Sequence, residues 1–445
     1  MQITTPTLTG LRRWVRWALR HGLIRFTTKR GAKAGELSAR LILERALIED
    51  PYAAYEALRA KGRLVRSGAV LLAHDHDVCT EILRSQDFGV VGPNSVAPPG
   101  TEKLVRFAGP GPVGPIEPPA LLVVNPPDHT RMRKLVTRAF TVKAVTRLRG
   151  RTEEIATELL DAMAAKPGPV DLMEDYASLL PATVIAEMMG APVEMRRQFL
   201  EWGAQAALSL DFGLPYREFV ESERGLQALE DWMRGHFAEI RRNPGQNILS
   251  DLVRAHDEAG ALDDDELASI AVLLLAAGFE TTVNLIGNAV ALLTAHRDQL
   301  ALLQSGQAQW STAVDEALRM ESPVQRTARL ALRDTEVAGI PVPAGQVVIT
   351  VLAAANRDPR VFADPARFDV TRANAGDHLA FSSGIHYCLG AGLARMEAEE
   401  GLQKLFERFP DLELAGRPRL RPTRTLRGFD AMPVRLTPAR VEQPA

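Results

Sequence analysis

The stretch Phe381-Ser382-Ser383-Gly384-Ile385-His386-Tyr387-Cys388-Leu389-Gly390 decides how this chain is interpreted. Gly384 and Gly390 lack a Cβ, so the backbone can turn sharply here and lie close to a large flat ligand. The apolar residues after Gly390 have helical spacing, which puts Cys388 at a helix N-terminus, where free amides and the dipole favour thiolate over thiol. This pattern suits an anionic sulfur bound to a metal. The alternative is a buried, inert thiol, because free cysteine is among the most buried residue types.

These ten residues resemble the haem-binding loop of the cytochrome P450 family, Phe-Gly-x-Gly-x-His-x-Cys-x-Gly. The one departure among the specified positions is Ser382, where the family usually has glycine. A small residue remains there, so we expect the turn to be kept with some strain. The resemblance implies haem b (iron protoporphyrin IX) as the cofactor, with Cys388 as the axial ligand of its iron and Phe381 beside the sulfur. A thiolate ligand pushes electron density onto the iron and favours O–O cleavage.

Composition excludes several classes of protein. The chain has 445 residues, 46% of them hydrophobic, and a formal net charge of −2, which argues against a general nucleic-acid-binding protein. Its two cysteines, Cys79 and Cys388, are too few for a disulfide framework or a cysteine-rich zinc site, and they predict a reducing, cytoplasmic setting. We find no signal-peptide pattern and no run of roughly 18 apolar residues that predicts a transmembrane segment.

The N-terminus is strongly basic: residues 11–40 contain nine Lys and Arg residues and one acid, Glu36. Leu11, Trp14 and Ile24 could share one face of a helix there, which would allow peripheral contact with a membrane surface. The alternative, which we favour at this stage, is a solvated arm over residues 1–45.

The rest of the pattern predicts a mainly α protein with small peripheral β-sheets. A helix is predicted after Asp50 and Pro51, and short strands at 63–66 and 69–72. Residues 87–120 are rich in Gly and Pro and predict a long loop, and a loop that long inside a compact domain is usually functional or disordered. From Pro127 onward the pattern is helical, apart from strand-like stretches near 329–342, 346–353 and 426–436.

The resemblance to the family runs from about residue 50 to about residue 437. It implies a single-domain cytochrome P450 fold over residues 46–437, with a C-terminal tail at 438–445. It also implies that haem lies between the long central helix and the helix that follows the cysteine loop.

The central helix is predicted to begin at the acidic run 263–266 and to reach His296. Between Glu266 and Arg297 its only formally charged residue is Glu280. Such an apolar helix is a buried one, and a lone buried carboxylate is costly without partners. The Thr281 hydroxyl can reach the Ala277 carbonyl four residues back and bend the helix.

The segment Ala277-Gly278-Phe279-Glu280-Thr281 resembles the oxygen-binding groove of the family. The resemblance implies that Thr281 hydrogen-bonds dioxygen during its activation, that Glu280 relays protons from solvent, and that Gly278 leaves room for a small ligand. Reduction of one oxygen atom to water needs two protons, so an acid beside a hydroxyl suits the chemistry. The alternative is a helix kink with Glu280 in a structural salt bridge.

Four further side chains stand where the family holds the haem propionates: His129, Arg133, Arg329 and His386. The alternative for each is a solvated surface charge. Glu316 and Arg319, at i and i+3 on one helix face, correspond to the structural Glu-x-x-Arg pair of the family.

The substrate pocket is predicted to be apolar and its ligand lipophilic. The expected lining comes from the loop 87–120, the segment 200–216 and five single residues: Val272, Ala276, Val324, Gln325 and Phe429. The alternative is that these side chains only fill the core.

The resemblance implies a haem-thiolate monooxygenase that hydroxylates or epoxidises a lipophilic substrate with O2. Electrons would pass from NAD(P)H through a separate ferredoxin reductase and ferredoxin. An acidic ferredoxin would dock on a basic surface formed by Lys134, Arg138, Lys143 and Arg395. Two alternatives remain: a peroxide-driven oxygenase, which needs no proton relay, and a haem-binding sensor without turnover.

Overall fold

Helices dominate the structure, a computed structural model that describes residues 8–92, 100–259 and 261–437. The α-helices within these ranges are α1 Leu8–Trp17, α2 Leu23–Lys33, α3 Leu37–Leu43, α4 Arg45–Glu49, α5 Tyr52–Arg59, α6 His76–Arg84, α7 Glu102–Ala108, α8 Asp128–Thr137, α9 Val142–Ala164, α10 Leu179–Met189, α11 Arg196–Ala207, α12 Tyr216–Arg242, α13 Ile248–Ala259, α14 Asp264–Ala295, α15 Arg297–Gln304, α16 Trp310–Met320, α17 Leu352–Ala355 and α18 Ala391–Arg408. The prediction of a mainly helical protein is confirmed.

The sheets are small. The strands of the described residues are β1 Leu64–Ser67, β2 Val70–Ala73, β3 Phe88–Val90, β4 Val170–Asp171, β5 Thr327–Ala331, β6 Thr335–Val337, β7 Ile340–Val342, β8 Val347–Thr350, β9 Glu413–Leu414, β10 Arg419–Leu420, β11 Phe429–Ala431 and β12 Pro433–Arg435. They form a five-stranded sheet in the order β1-β2-β8-β5-β3, a three-stranded sheet β4-β12-β9, and the pairs β10-β11 and β6-β7.

The two strands predicted at 63–66 and 69–72 are present as β1 and β2, which pair antiparallel with Leu64 opposite Ala73. The predicted loop 87–120 differs from the structure, because it contains β3, which pairs with β5, and the helix α7. Part of this loop, residues 93–99, lies outside the described residues. The short elements escaped prediction because the surrounding Gly and Pro residues masked their periodicity.

The central helix α14 begins and ends close to the predicted residues. The Asp263 side chain accepts the Glu266 N–H at 2.7 Å, and the Glu266 side chain accepts the Asp263 N–H at 3.1 Å, which forms a capping box. The helix has 32 residues and is about 48 Å long at 1.5 Å per residue. Contrary to the expectation from sequence, it is long and apolar enough to cross a membrane, but most of it is buried inside the protein.

The helix α18, which follows the cysteine loop, packs against α14, α9 and α16. Its Leu402 and Leu405 share one apolar core with Ile286 and Val290 of α14. The other side of α14 packs against α10, α11 and α12 in a second core. The packing therefore fixes the cysteine loop relative to the central helix.

The basic N-terminus is not a freely solvated arm. Residues 8–33, here the N-terminal segment, form α1, a π-helical turn Ala18–Gly22 and α2. Arg13 and Arg16 pair with Glu223 of α12 at 2.9 and 2.7 Å. Arg20 pairs with Glu117. The segment packs onto the domain because these guanidinium groups neutralise carboxylates that are themselves largely buried.

Candidate active site

The cysteine loop is a tight, cross-bonded turn. The Cys388 N–H donates to the Phe381 carbonyl at 2.9 Å, and the Ser382 N–H donates to the Leu379 carbonyl at 2.8 Å. Gly384 has φ +71°, and a Cβ there would lie 2.4 Å from the Leu83 carbonyl oxygen. Only glycine fits this position, both because of its backbone conformation and because α6 approaches so closely.

Ser382 adopts the left-handed conformation that glycine would adopt without strain, with φ +63°. Its buried hydroxyl has no hydrogen-bond partner among the described residues. The turn of the family loop is thus kept at a cost of order 1–3 kcal/mol, the usual range for a strained backbone conformation. The predicted strain at this position is present.

Cys388 lies three residues before α18 and is accessible on one side, although protein surrounds the rest of it. Desolvation raises the pKa of the Cys388 thiol, while the Gly390 N–H and the charges of Arg133 and Arg395 act in the opposite direction. The helix N-terminus alone therefore does not produce a thiolate. A cation bound to the sulfur would supply the missing stabilisation.

Other residues of the loop leave one side open. A Cβ at Gly390 would meet no atom within 4 Å. The Arg395 guanidinium covers the Phe381 ring, 4.7 Å from its centroid, and the Cys388 N–H donates to the Phe381 carbonyl. A flat group could lie against Gly390 without a clash.

Four cationic or donor side chains gather beside this loop, and none of them forms an ion pair with an acid in the described part of the chain. The rings of His129 and His386 are 4.2 Å apart, and the Nε2 atom of each is buried without a partner among the described residues. Arg133 donates to the Tyr387 carbonyl at 2.6 Å, and Arg329 donates to Thr327 and to the Ala328 carbonyl.

Their protonation reflects burial. Desolvation lowers the pKa of Arg329 to about 10. Burial, and then the charge of Arg329, lowers the pKa of His386 to about 3. Burial and Arg133 also lower the pKa of His129. Buried cations without acids are costly, so this cluster calls for anionic oxygen atoms from a ligand. The two carboxylates of haem fit that requirement.

Between Leu267 and Thr294, the central helix has one exposed residue, Ala277. Ala277 is exposed and Thr281 is half-buried, whereas most of α14 is buried. The Thr281 hydroxyl donates to the Ala277 carbonyl at 3.3 Å, as predicted. The α-helix nevertheless continues through this point without a break.

Gly278 does not serve the predicted purpose. A Cβ there would lie 2.7 Å from Cγ1 of Ile185, a residue of α10. The glycine therefore lets α10 approach α14, and the space beside its Cα is already filled. The exposed surface of this stretch lies instead at Ala277 and Thr281.

Glu280 is buried and forms an ion pair with Arg421, which follows β10. Arg421 also donates to the Phe429 carbonyl at 3.1 Å. Glu280 therefore forms the structural salt bridge that was the alternative interpretation from sequence. The Arg421 guanidinium compensates the charge of this buried carboxylate. No local pattern could have pointed to Arg421, because 141 residues separate the two.

Glu316 and Arg319 form a fully buried ion pair, with nitrogen to oxygen distances of 2.7 and 2.8 Å. Arg319 also donates to the carbonyls of Asn356 and Pro365. Arg372, which sequence reasoning missed, donates to Glu316 at 3.2 Å. The pair ties α16 to the segment that leads to the cysteine loop.

The expected substrate residues are not all placed to contact a ligand. Val272 is completely buried in the second core. Gln325 is buried and donates to the Ser322 carbonyl at 2.7 Å. For these two residues the core-filling alternative holds, because neither has surface to offer. Ala276, Val324 and Phe429 keep small or moderate exposed fractions.

The predicted basic surface is present in part. Lys134, Arg138 and Lys143 are exposed. Arg395 is half-buried and pairs with Asp315 at 2.7 Å, so its charge is already compensated. The free basic groups of this surface are therefore the first three residues.

Comparisons with known proteins agree with this geometry. The family model "Cytochrome P450" matches residues 310–427. The chain is 46% identical to "Putative cytochrome P450 140" of Mycobacterium tuberculosis over 95% of this chain and 98% of the relative. It is 42% identical to "6-deoxyerythronolide B hydroxylase" of Saccharopolyspora erythraea over 70% of this chain and 76% of that enzyme.

A solved structure is also similar: "P450BioI in complex with hexadec-9Z-enoic acid ligated Acyl Carrier Protein". The TM-score is 0.80 at 32% identity, covering 88% of this chain and 100% of that chain. The fold matches that of solved cytochrome P450 structures, the cysteine loop has the pattern of the family, and the relatives include named hydroxylases. The chain therefore belongs to the cytochrome P450 family and is a monooxygenase.

Proposed function

We propose that this protein binds haem b through Cys388 and inserts one atom of O2 into a lipophilic substrate by hydroxylation or epoxidation. The observation that carries the proposal is the cluster of His129, Arg133, Arg329 and His386, which forms no ion pair with an acid of the described residues, beside an accessible cysteine. Haem bound here would supply the activation of dioxygen, with the second oxygen atom leaving as water.

The residues of the cysteine loop and its surroundings bind and orient the cofactor. The four side chains of the cluster hold its two carboxylates, while Gly390 offers an open face and Phe381 shields the sulfur. Desolvation keeps His129 and His386 neutral at pH 7. Their buried Nε2 atoms then serve as hydrogen-bond partners and not as point charges.

The exposed stretch of α14 handles protons. The Thr281 hydroxyl lies on the exposed side of the helix, next to Ala277. Glu280 delivers protons from solvent through its contact with the partly exposed Arg421. Arg421 compensates the charge of Glu280, and its partly exposed guanidinium connects the pair to water.

The substrate is lipophilic. The hydroxylase relative is named for 6-deoxyerythronolide B, and the similar solved structure holds a long-chain fatty acyl group. Ala276, Val324 and Phe429 remain candidates for the pocket, because they are apolar and keep some exposed surface.

Electrons come from NAD(P)H through a separate ferredoxin reductase and an acidic ferredoxin that docks on Lys134, Arg138 and Lys143. The protein works in the cytoplasm, in line with its two unpaired cysteines. Peripheral membrane contact by the N-terminal segment is supported by the exposed side chains of Leu8, Leu11 and Trp14 among basic residues. The catalytic domain spans residues 46–437.

The test is the absorption spectrum of the haem-loaded, reduced protein with carbon monoxide. We expect the strongly red-shifted band of thiolate ligation, and we expect Cys388→Ser to lose it. A protein that binds carbon monoxide without this band, or a serine variant that keeps it, would overturn the proposal.

The peroxide-driven oxygenase is a second candidate, favoured by the ion pair that already engages Glu280. Thr281→Ala separates the two. A monooxygenase that depends on delivered protons should release more hydrogen peroxide per electron pair in this variant. An enzyme driven by peroxide should make product with added peroxide and show no such change in coupling.

A further inference from the structure

A cavity between the helices α4 and α5 and the C-terminal part of the chain is lined by cations. It has about 340 Å³ of unfilled space, including its open mouth. Its walls come from residues 47–55, from residues 325 and 326 just before β5, and from the segment 420–428 that connects β10 with β11. The charged residues of the lining, within the described part of the chain, are all arginines: Arg326, Arg421, Arg424 and Arg427. A ligand in this cavity would therefore meet only positive charges.

Three of these guanidinium groups have acids as partners: Arg421 pairs with Glu280, Arg427 pairs with Glu321 at 2.6 Å, and Arg424 lies 3.5 Å from Asp211. The three acids are not part of the cavity wall. Each of the three arginines keeps between 13% and 18% of its side-chain surface exposed. Ion pairing therefore holds these side chains in place, while N–H groups and not carboxylates line the cavity.

Arg326 differs from the other three, because it forms no ion pair with an acid of the described residues. Its side chain is half-buried. Its one hydrogen bond to the described protein runs from Nη2 to the Leu41 carbonyl and is long, at 3.5 Å. Its Nη1 donates to none of the described residues and is not among the buried atoms, so a ligand can reach it. Arg326 thus offers an accessible N–H group and a charge without a counterion.

A second guanidinium of the wall also has a free donor. Arg421 uses Nε for the Phe429 carbonyl and Nη1 for Glu280, so its Nη2 is left without a partner in the described structure. A neutral ligand would leave the charge of Arg326 uncompensated, and an unpaired charge that is partly buried is costly. The cluster therefore calls for an anion.

The shape of the guanidinium group favours an oxyanion of the phosphate type. A guanidinium is planar and can donate two parallel hydrogen bonds to neighbouring oxygen atoms of a phosphate. A tetrahedral anion also carries oxygen atoms in several directions. It can accept from Arg326 and from the free Nη2 of Arg421 at once, without separating Arg421 from Glu280.

We propose that this cavity is a binding site for a phosphate-type oxyanion, with Arg326 as its principal cation. The site goes beyond the proposed oxygenase chemistry and takes either inorganic phosphate or the phosphoryl group of a larger molecule. A bound anion would link α4 and α5 to residue 326 and to the segment 420–428, which lie far apart in the sequence. Occupancy should therefore stabilise the fold.

The first experiment measures thermal unfolding of the haem-loaded full chain while sodium phosphate replaces sodium chloride at constant ionic strength and pH 7.5. The unfolding temperature should rise with phosphate, since an anion that binds only the folded state stabilises it by mass action. Arg326→Gln should weaken the apparent phosphate affinity about ten-fold or more, the usual effect of losing one charged hydrogen bond. No rise in the unsubstituted protein, or an undiminished rise in Arg326→Gln, would overturn the proposal.

Stability in chloride alone distinguishes a binding residue from a structural one. Arg326→Gln removes an uncompensated cation, so without phosphate the variant should be at least as stable as the unsubstituted protein. If Arg326 only supported the Leu41 carbonyl, the variant would lose equal stability in chloride and in phosphate, which would overturn the proposal. Arg417→Gln is the matched control, because Arg417 is exposed and does not line the cavity. It removes the same charge and should keep the phosphate response.

The second experiment tests the location by isothermal titration calorimetry with inorganic phosphate. Leu47 is half-buried and lines the cavity, whereas Ala46 is exposed on the same helix and does not. Leu47→Glu adds a carboxylate to the wall and should weaken phosphate binding about ten-fold or more, because the new charge repels the anion and competes for the guanidinium groups. Ala46→Glu adds the same charge outside the cavity and should bind phosphate normally. Equal binding by the two variants would overturn the assignment to this cavity.

Two probes distinguish the sources of the anion. Binding of inorganic phosphate alone supports a free ion as the ligand, and binding of glycerol 3-phosphate as well supports a phosphoryl group on a larger molecule. Glycerol is the neutral control, and binding of neither anion would overturn the proposal. None of these readouts uses the thiolate band, so failure of the phosphate site and failure of the proposed function are separate results.

Discussion

Glu280 of the central helix and Arg421, which follows β10, form an ion pair between residues 141 positions apart in the sequence. The carboxylate is almost fully buried, whereas the guanidinium keeps 18% of its side-chain surface exposed. A buried acid next to the proposed oxygen site is thus linked to the protein surface by a single long side chain. The pair is both a structural contact between α14 and the C-terminal sheets and a connection to solvent.

Removing the cation should destabilise the protein. Arg421→Met leaves the Glu280 charge buried and unpaired, and we expect a loss of about 2 kcal/mol, below the full value for a buried pair because Arg421 is partly exposed. Urea unfolding of the haem-loaded protein measures this. The double variant Arg421→Met/Glu280→Gln should lose less than the sum of the two single changes. Additive losses would show that the two side chains do not interact.

The turn at Ser382 offers a stabilising substitution. Ser382→Gly removes the strain of a left-handed serine and an unpartnered buried hydroxyl, and we expect a gain of about 1 kcal/mol in the free energy of unfolding after the extra chain entropy of glycine is subtracted. Ser383→Gly is the control. Ser383 has φ −151°, and its hydroxyl accepts a hydrogen bond from Arg84 at 2.8 Å. Ser383→Gly removes this hydrogen bond and should therefore destabilise the protein. A gain in the control and not in Ser382→Gly would contradict the assignment of strain.

Gly278 and Gly390 should respond differently to substitution by alanine. Gly278→Ala forces a methyl group against Ile185 and should cost about 1–3 kcal/mol, as overpacking usually does. Gly390→Ala meets no neighbouring protein atom, so the stability of the polypeptide without haem should not change, while haem affinity should fall. Thermal unfolding with and without added haem separates the two effects.

A rescue experiment checks the cause. Adding Ile185→Ala to Gly278→Ala removes the clashing Cγ1 and Cδ1 atoms. The double variant should then lose less stability than Ile185→Ala and Gly278→Ala lose separately when their losses are added. Full additivity would show that the cost of Gly278→Ala has another origin.

His21 should make stability depend on pH. Burial and then the charge of Arg20 lower its pKa to about 4 in the folded protein, against 6.5 in the unfolded chain, so the unfolded state takes up more protons as the pH falls. The stabilising effect of the neutral ring is complete above pH 6.5 and is lost progressively between pH 6.5 and about 4, to a limit of about 3 kcal/mol.

The matched variant is His21→Asn, whose side-chain oxygen can still accept the Leu214 N–H, which the His21 Nδ1 accepts at 3.3 Å. The difference in the free energy of unfolding between the protein and this variant should shrink as the pH falls through that window. Subtraction also cancels the titration of the other histidines. A difference that stays constant from pH 7 to pH 4 would contradict the neutral, buried state of His21.

Local signals in the sequence predicted much of the fold and part of the site. The start of α14 could be predicted from the acidic run 263–266, because the dipole favours acids in the first turn of a helix, and the same residues form a capping box in the structure. The strain at Ser382 could be predicted because this serine stands where the family loop usually has glycine. Glu316 and Arg319 were found because side chains at i and i+3 share a helix face.

Partners that are distant in sequence could not be predicted. The approach of Ile185 to Gly278 depends on how α10 crosses α14, and the pairing of Arg16 with Glu223 depends on where the N-terminal segment folds back. Periodicity carries no information about either. The interpretation of residues 1–45 as a solvated arm was wrong for this reason. The sequence of a basic segment does not show whether its charges are balanced by ions in solution or by buried acids of the protein.

The folded N-terminal segment has a practical consequence for anyone who shortens this chain. A version that starts at residue 46 would look harmless from composition alone. It would discard the guanidinium groups that lie on Glu117 and Glu223, and burial, then the nearby charge of Glu223, already raises the pKa of Glu117. The shortened protein would retain two carboxylates that repel each other and would expose the apolar surface that the N-terminal segment covers. We expect it to be prone to aggregation.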